Sequence, residues 1–327
     1  METQKQNYAG LDIGLEWIDA AWYDQETLHH AKLPNTVQGF KQLVKQCGAS
    51  RHYVMETTGP YYVALALHLH LKGIKVSVVN AMVIKRFIQM QLEKNKSDKK
   101  DAAWICKYAI SQQPQLWQAP QEHIIRAKQM QTAIMQLTKQ RTAIINAGKS
   151  LAQMPVISNE SKRSYQRMID QLNKEIILLE KSLDELLKQH EEKKMAALQT
   201  IPGIGKRTVA MMIIATDGFR KVDNYRQLSS WAGLSPKEYR SGKSIRGKVH
   251  ISKMGGKELR NMLYMCSLTA IKCNKGCKEL YDRLKAKGKN GKLALAAVGN
   301  KLIKQAVAIA KSELPYDEKY LSKNPCF

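Results

Sequence analysis

Six apolar residues in the middle of the chain, Met168, Leu172, Ile176, Leu179, Leu183 and Leu187, are spaced four, four, three, four and four apart. That spacing is the a/d seam of a helix that must lie against another helix. Upstream, Ile124, Ile134, Leu137, Ile144 and Leu151 recur at helical positions, and Pro155 separates the two sets. The middle of the chain is therefore expected to form two long helices joined near Met154 to Ser161, as a helical hairpin or coiled coil. The spacing is compatible both with dimerisation and with a helix pair that only folds back on itself. This segment, 116–194, divides the chain into three parts, with 1–115 before it and 195–327 after it.

The first part alternates between two periodicities. Tyr8 to Ile13, Trp17 to Tyr23, Thr27 to Leu33, Tyr53 to Thr57 and Val76 to Val79 read as strands. Pro34 to Cys47, Tyr61 to Leu71, Met82 to Gln91 and a stretch from about Ser97 to Ile110 read as helices, with Gly73 as a C′ glycine. Three strands in succession followed by strand–helix crossovers predict an α/β domain, a mixed sheet with helices on its faces. The last part is expected to be compact, mostly α-helical and basic.

Charge narrows the partners. Of 327 residues, 53 are Lys or Arg and 28 are Asp or Glu, for a formal net charge of +25 and a pI of about 9.7. An excess of this size favours a polyanion, because each phosphate contact releases condensed counterions. Nucleic acid is the expected partner. No apolar run is read as approaching the roughly 18–20 residues of a membrane span. The polar start METQKQNY lacks a signal-peptide core, so a cytoplasmic protein is expected. Six scattered cysteines give no paired C-x-x-C zinc pattern; Cys273 and Cys277 are one helical turn apart but have no second ligand pair. His68 and His70 read as packing or surface residues rather than ligands.

Carboxylates mark the ends of several elements in the first domain. Asp12 ends the first strand, Glu56 ends the YVMET strand, and Asp98 and Asp101 share one face at the start of a helix. Each has a plainer reading: a turn residue before Gly14 for Asp12, a solvated strand end for Glu56, an N-cap for Asp98 or its neighbour Ser97. Together, four acids in a basic protein repel one another unless a cation neutralises them. Mg²⁺, a hard oxygen-seeking ion suited to phosphoryl chemistry, fits such a set. The order strand end, later strand end, following helix is that of an RNase H-like nuclease domain.

Two features stand out in the basic C-terminal part. Leu198 to Ile214 reads LQTIPGIGKRTVAMMII, a helix–PGIG–helix pattern of the helix-hairpin-helix type. In that reading Gly203, Gly205 and Lys206 face a phosphate without reading sequence; the alternative is a plain glycine-rich turn. Trp231 to Arg260 carries Lys237, Arg240, Lys243, Arg246, Lys248, Lys253, Lys257 and Arg260 against Glu238 and Glu258. Ser241 lies in this loop. Nearby cations make its hydroxyl a candidate nucleophile toward phosphorus, although the loop offers no general base. A turn or a phosphate-binding hydroxyl is the simpler account, and Ser244 and Ser252 compete on chemistry alone.

Taken together, YAGLDIG, METTG and NKSDKKDA resemble a DEDD transposase domain. LQTIPGIGKRTVAMMI followed by WAGLSPKEYRSGKSIRGKVHISKMGGKELRNML resembles its partner transposase domain. The pair, in this order and with a coiled coil between, is similar to the recombinases of bridge-RNA-guided insertion sequences, a group that includes a pilin-gene invertase. The resemblance implies a RuvC-like domain binding Mg²⁺ through Asp12, Glu56, Asp98 and Asp101. It implies that Ser241 forms a covalent serine–DNA intermediate. It further implies a homodimer or homotetramer with sites shared between subunits, and a structured guide RNA that pairs with donor and target DNA. A metal-dependent junction nuclease that does not rejoin strands and a non-enzymatic nucleic-acid-binding protein are the competing expectations.

Overall fold

The computed structural model describes residues 7–57, 59–92, 98–237, 240–241, 245–246 and 250–319; at Asp98 and at 240–241 and 245–246 it describes the backbone alone. The chain divides into two compact units between Ala119 and Pro120.

In the first unit five strands, β1 (Tyr8–Ile13), β2 (Trp17–Asp24), β3 (Thr27–Pro34), β4 (His52–Glu56) and β5 (Val76–Val79), form one sheet in the order β3-β2-β1-β4-β5. The first three are antiparallel neighbours, and β4 and β5 run parallel to β1. Helices α1 (Val37–Cys47) and α2 (Tyr62–Leu71) cover one face, where Phe40, Leu43, Leu65 and Leu69 pack on Leu11, Ile13 and Met55. Helices α3 (Ala81–Met90) and α4 (Asp98–Gln112) cover the other, where Ile84, Ile105 and Ala109 pack on Val54 and Val79. Alternation along β1 and β4 thus feeds two separate cores, which is why both strands read as continuous apolar runs. Gly73, at φ +71, closes α2 in the left-handed conformation a C′ glycine supplies. His68 packs on Phe40 and His70 on Trp117, with ring centroids 5.4 and 6.0 Å apart.

Gly10 sets how closely α4 approaches. An added Cβ there would lie 2.2 Å from Cys106 N and 2.4 Å from Ala102 O. Only a residue without a side chain lets the helix backbone rest on the strand. The Cys106 thiol, donating to Tyr8 O at 3.7 Å, fixes the other end of the contact.

The second unit is helical: α5 (Glu122–Leu151), α6 (Asn159–Gln199), α7 (Lys206–Thr216), α8 (Tyr225–Trp231), α9 (Lys257–Cys273), α10 (Lys275–Ala286) and α11 (Gly291–Ser312). The expected hairpin is α5 and α6, with Ile176, Leu183 and Leu187 of the seam buried and Met168, toward its tip, 49% exposed. The hairpin and the later helices share one core, so the expected segments 116–194 and 195–327, set apart by pattern, pack as one unit from Pro120 onward, while 116–119 belong to the first unit. The change of pattern near residue 190 is a kink: Glu191 has non-helical φ −131, ψ 28 inside α6. Its buried carboxylate accepts from Lys194 at 2.9 Å and lies 3.3 Å from the His123 ring, which stacks on His190.

Helix α11 is, among the described residues, the one helix long and apolar enough to cross a membrane. Lys292, Lys301, Lys304 and Lys311 interrupt its apolar residues. Val298, Leu302, Ile303 and Ala306 are buried in the core of the unit, which accounts for its hydropathy.

Candidate functional site

Two of the four predicted carboxylates, Asp12 and Glu56, lie on the face of the sheet that α4 covers, and Asp98 and Asp101 are residues of the first turn of that helix. Asp12 pairs directly with Asp19 of β2, Asp19 pairs with Lys32 of β3, and Glu56 stands one position beyond the Leu11–Met55 pair of β1 and β4. Residues in register on neighbouring strands share a face. Lys32, Asp19, Asp12 and Glu56 therefore form one row across four strands. Gly10, two residues earlier on the same face, meets α4 at Ala102 and Cys106. Tyr8, two residues before that, meets Cys106. The helix thus runs against the direction of β1. Two strand residues, roughly 6.6 Å, correspond to a little more than one helical turn. Asp12 comes level with the first turn of α4, which begins at Asp98 and contains Asp101.

The loops beyond the row are fixed by hydrogen bonds. Asn35 donates from its side chain to Gly14 O at 2.9 Å and Tyr61 O at 3.4 Å, and from its backbone N–H to Glu16 O at 2.7 Å. It ties the turn after Asp12 to the segment after Glu56. Thr57 N–H donates to Val79 O at 2.9 Å, and its hydroxyl accepts from Ala81 N–H at 3.3 Å.

The row is brought to one level by the backbone. Among the described residues no three His, Cys, Asp or Glu side chains gather tightly enough to hold a metal ion, and Asp98 is described by its backbone only. Asp19 was not foreseen. It is a buried carboxylate 2.9 Å from the His30 ring and 4.0 Å from Lys32 Nζ. Two like charges directly opposite one another destabilise a ladder; the cation beside Asp19 offsets this. The available signal was an acid in the middle of the otherwise apolar WIDAAWY.

In the second unit the basic segment is a small ribbon. β6 (Pro236–Lys237) pairs with β9 (His250–Ile251), and β7 (Arg240–Ser241) pairs with β8 (Ile245–Arg246), all antiparallel. Two residues separate β6 from β7 and three separate β8 from β9, so the inner ladder is offset by one residue from the outer. Ser241 is the last residue of β7, opposite Ile245. Lys243, Ser244 and Lys248 lie outside the described residues, as do Gly242 and Glu238. Ser252 sits past the end of β9, its N–H bonded to Ser235 O at 2.9 Å, and Lys253 beside it is exposed, at φ +56. Arg260 is not part of the exposed basic surface: it is half-buried and donates to Ala232 O at 2.8 Å.

The PGIG turn lies between α6 and α7. Gly203, at φ +96, has Ala270 of α9 2.7 Å from where a Cβ would stand, and Asn274 Nδ2 donates to Pro202 O at 3.4 Å. Gly203 is required by packing. Gly205, by contrast, is exposed with nothing within 4 Å of an added Cβ, and it begins α7 without a side-chain cap. Lys206 is exposed, and Arg207 pairs with Glu180 at 2.7 Å; both line a groove of about 1120 Å³ between the hairpin and helices α7 and α9.

Comparisons with known proteins find two matching families along the chain. Residues 9–154 match a transposase family of the DEDD, IS110 type, and residues 195–282 match the transposase IS116/IS110/IS902 family. The class these define is that of a DNA transposase, an enzyme of DNA recombination. The chain belongs to the IS110 family of transposases. It is 29% identical over 328 residues to the pilin gene-inverting protein of Moraxella bovis, covering 96% of this chain and 98% of the relative. The pilin gene-inverting protein of Moraxella lacunata is 28% identical over the same shares. The transposase for insertion sequence element IS1111A of Coxiella burnetii is 23% identical over 292 residues, 78% of this chain and 75% of the relative.

Proposed function

We propose that this transposase cuts and rejoins DNA with two chemical centres, a Mg²⁺ site on the sheet and the Ser241 hydroxyl on the basic ribbon. The observation that carries the first is the register that sets Asp12 and Glu56 on adjacent strands, level with the start of α4. The strand order, with an antiparallel β2 beside a parallel β1-β4-β5, supports an RNase H-like, RuvC-like reading of residues 1–115. The donor set, Asp12, Glu56, Asp98 and Asp101, offers oxygen atoms only, as a hard divalent cation prefers. Bound there, Mg²⁺ supplies charge neutralisation and activation of the attacking oxygen.

The chain's own residues do the rest. The Ser241 oxygen attacks phosphorus, a Ser–O–P bond forms, and one backbone P–O bond breaks. The departing strand end takes up the proton and leaves as a hydroxyl. Attack by a new hydroxyl end reverses the step, so the energy of the broken bond is kept in the serine ester. Arg240 and Arg246, paired across the ribbon, and Lys243 and Lys248, close to them in sequence, stabilise the charge gathered on the phosphate, while Lys253 holds a backbone phosphate away from the reacting bond. Gly205 and Lys206 at the start of α7 hold backbone phosphates away from the reaction. A structured guide RNA choosing the sites by base pairing, and a homodimer or homotetramer with shared sites, complete the reading; insertion and inversion are both within it.

The test is the adduct. Incubated with Mg²⁺, the DNA of its element and the RNA transcribed beside it, the wild-type protein should form a denaturant-resistant, protease-sensitive DNA adduct. Ser241→Ala should abolish it, and Asp12→Asn should reduce cleavage at least about a hundredfold. Full cleavage by Ser241→Ala, with free 5′-phosphate ends, would establish a metal-dependent nuclease that does not rejoin.

A further inference from the structure

The row Lys32–Asp19–Asp12–Glu56 does not end the chemistry of that face. Trp17 begins β2 two residues before Asp19, so its indole is on the same face, one step nearer the edge where Asp12 and Glu56 stand. Helix α4 meets this face over Gly10 and Tyr8, farther from that edge. Trp17 is left 48% exposed. Its companion is Lys32, half-exposed, with Nζ 5.8 Å from the indole centroid and 4.0 Å from Asp19. Asp19 and Ala21, the next positions of β2 on this face, are buried, whereas the Trp17 ring is open to solvent with a cation beside it.

We propose that Trp17 and Lys32 form a nucleotide platform that stacks an unpaired base of the DNA strand whose phosphate the carboxylate row serves. This rests on reading that row as the phosphoryl-transfer site. Every base has a π face that an indole can stack, whatever the sequence, and a lysine beside the ring meets the attached phosphate. The pair suits a strand that must be unpaired and held next to the reacting bond.

The platform is rigid before anything binds. Gly14 N–H donates to Trp17 O at 2.8 Å, Asn35 N–H donates to Glu16 O at 2.7 Å, and the Asn35 side chain holds Gly14 O at 2.9 Å. The tight turn from Asp12 to Trp17 is closed on both sides. Base and carboxylate are therefore held at a fixed separation, and a preordered ring loses little freedom on binding.

Photocrosslinking tests this in the full-length protein. The probe is a single-stranded thymidine oligonucleotide carrying 5-iododeoxyuridine, irradiated in EDTA so that no metal chemistry occurs. The wild-type protein should give an adduct on the peptide containing Trp17. Trp17→Phe, which keeps an aromatic face, should retain it. Trp17→Leu, which keeps apolar bulk, should lower it about five-fold or more, while adducts on peptides of the basic unit stay constant. Lys32→Gln should lower the yield and flatten its dependence on salt. Excess unlabelled single-stranded DNA should compete better than an RNA of the same sequence; the reverse would overturn the assignment to DNA. Absence of a Trp17 adduct in the wild-type protein, or an equal yield from Trp17→Leu, would overturn the platform. Because no strand is cut here, failure of the metal reading, seen as undiminished cleavage by Asp12→Asn, is a separate result.

Discussion

The two units organise charged residues in opposite ways. In the first, Lys32, Asp19, Asp12 and Glu56 are set side by side by strand register, and the covering helix is held at backbone distance by Gly10. In the second, the described cations are carried on two-residue ladders and on an exposed helix start. A group that must act on one bond needs fixed neighbours. Groups that hold a polyanion need only a high density of charge, since phosphate contacts position without specifying. The difference predicts that the first unit is sensitive to small changes in packing and the second is tolerant of losing any one charge.

Cysteines test the closure of the first unit on both faces. Cys47 lies under α1 and Cys106 under α4; burial pushes both thiols up to about 12. A raised value means less thiolate at any pH below it. At pH 8 these two should carry about a thousandfold less thiolate than an ordinary thiol, and react with iodoacetamide correspondingly slowly. Cys273 of the second unit is exposed and should be labelled first among the cysteines of the described residues. Peptide mass spectrometry of briefly alkylated native protein reads the order. Rapid labelling of Cys106 would mean that α4 does not stay on the sheet.

The next largest effect is expected from Gly10→Ala. The new methyl meets backbone atoms of Cys106 and Ala102, which cannot turn aside as a side chain can. Helix α4 must shift, at a cost toward or above the upper end of the about 1–3 kcal/mol typical of overpacking. Asp98 and Asp101 move with it. A misplacement on the order of 1 Å costs about a hundredfold in rate. Affinity for duplex DNA and its salt dependence should be unchanged, because the basic second unit is untouched. A parallel loss of binding and cleavage would show that the two functions are not divided between the units as proposed.

How much of this was legible depended on whether the signal was local. Strand and helix periods gave the order of elements in 1–115, and the carboxylates stood out because Asp12 is the last residue but one of its strand, Glu56 ends its strand and Asp98 begins a helix. The seam from Met168 to Leu187 gave the long helix, because a heptad pattern needs no distant partner to be seen. Asp19 escaped because its importance lies in pairing with Asp12 and Lys32, and register across strands is not written in either strand alone. The exposure of Trp17 escaped for the same reason. The ribbon from 236 to 251 read as a loop, since two-residue ladders of Arg, Ser and Lys show no alternation of polarity. Gly203 was read for phosphate, but Ala270, 67 positions away in sequence and on a separate helix, is what makes a glycine necessary there.

The smallest effect sharpens the comparison from the other side. Lys253 is exposed and its backbone is anchored by an N–H bond to Gly233 O at 3.0 Å, so Lys253→Gln removes a charge without disturbing the ribbon. If the basic unit acts by summed phosphate contacts, affinity for any duplex should fall only a few-fold at moderate salt. The slope of log affinity against log salt should become shallower by about 0.9, the share of one phosphate contact. Cleavage at saturating DNA should be unaltered. A loss confined to one DNA sequence, or a large fall in cleavage with the slope unchanged, would place Lys253 at the reacting phosphate beside Ser241 and make the ribbon as exacting as the sheet.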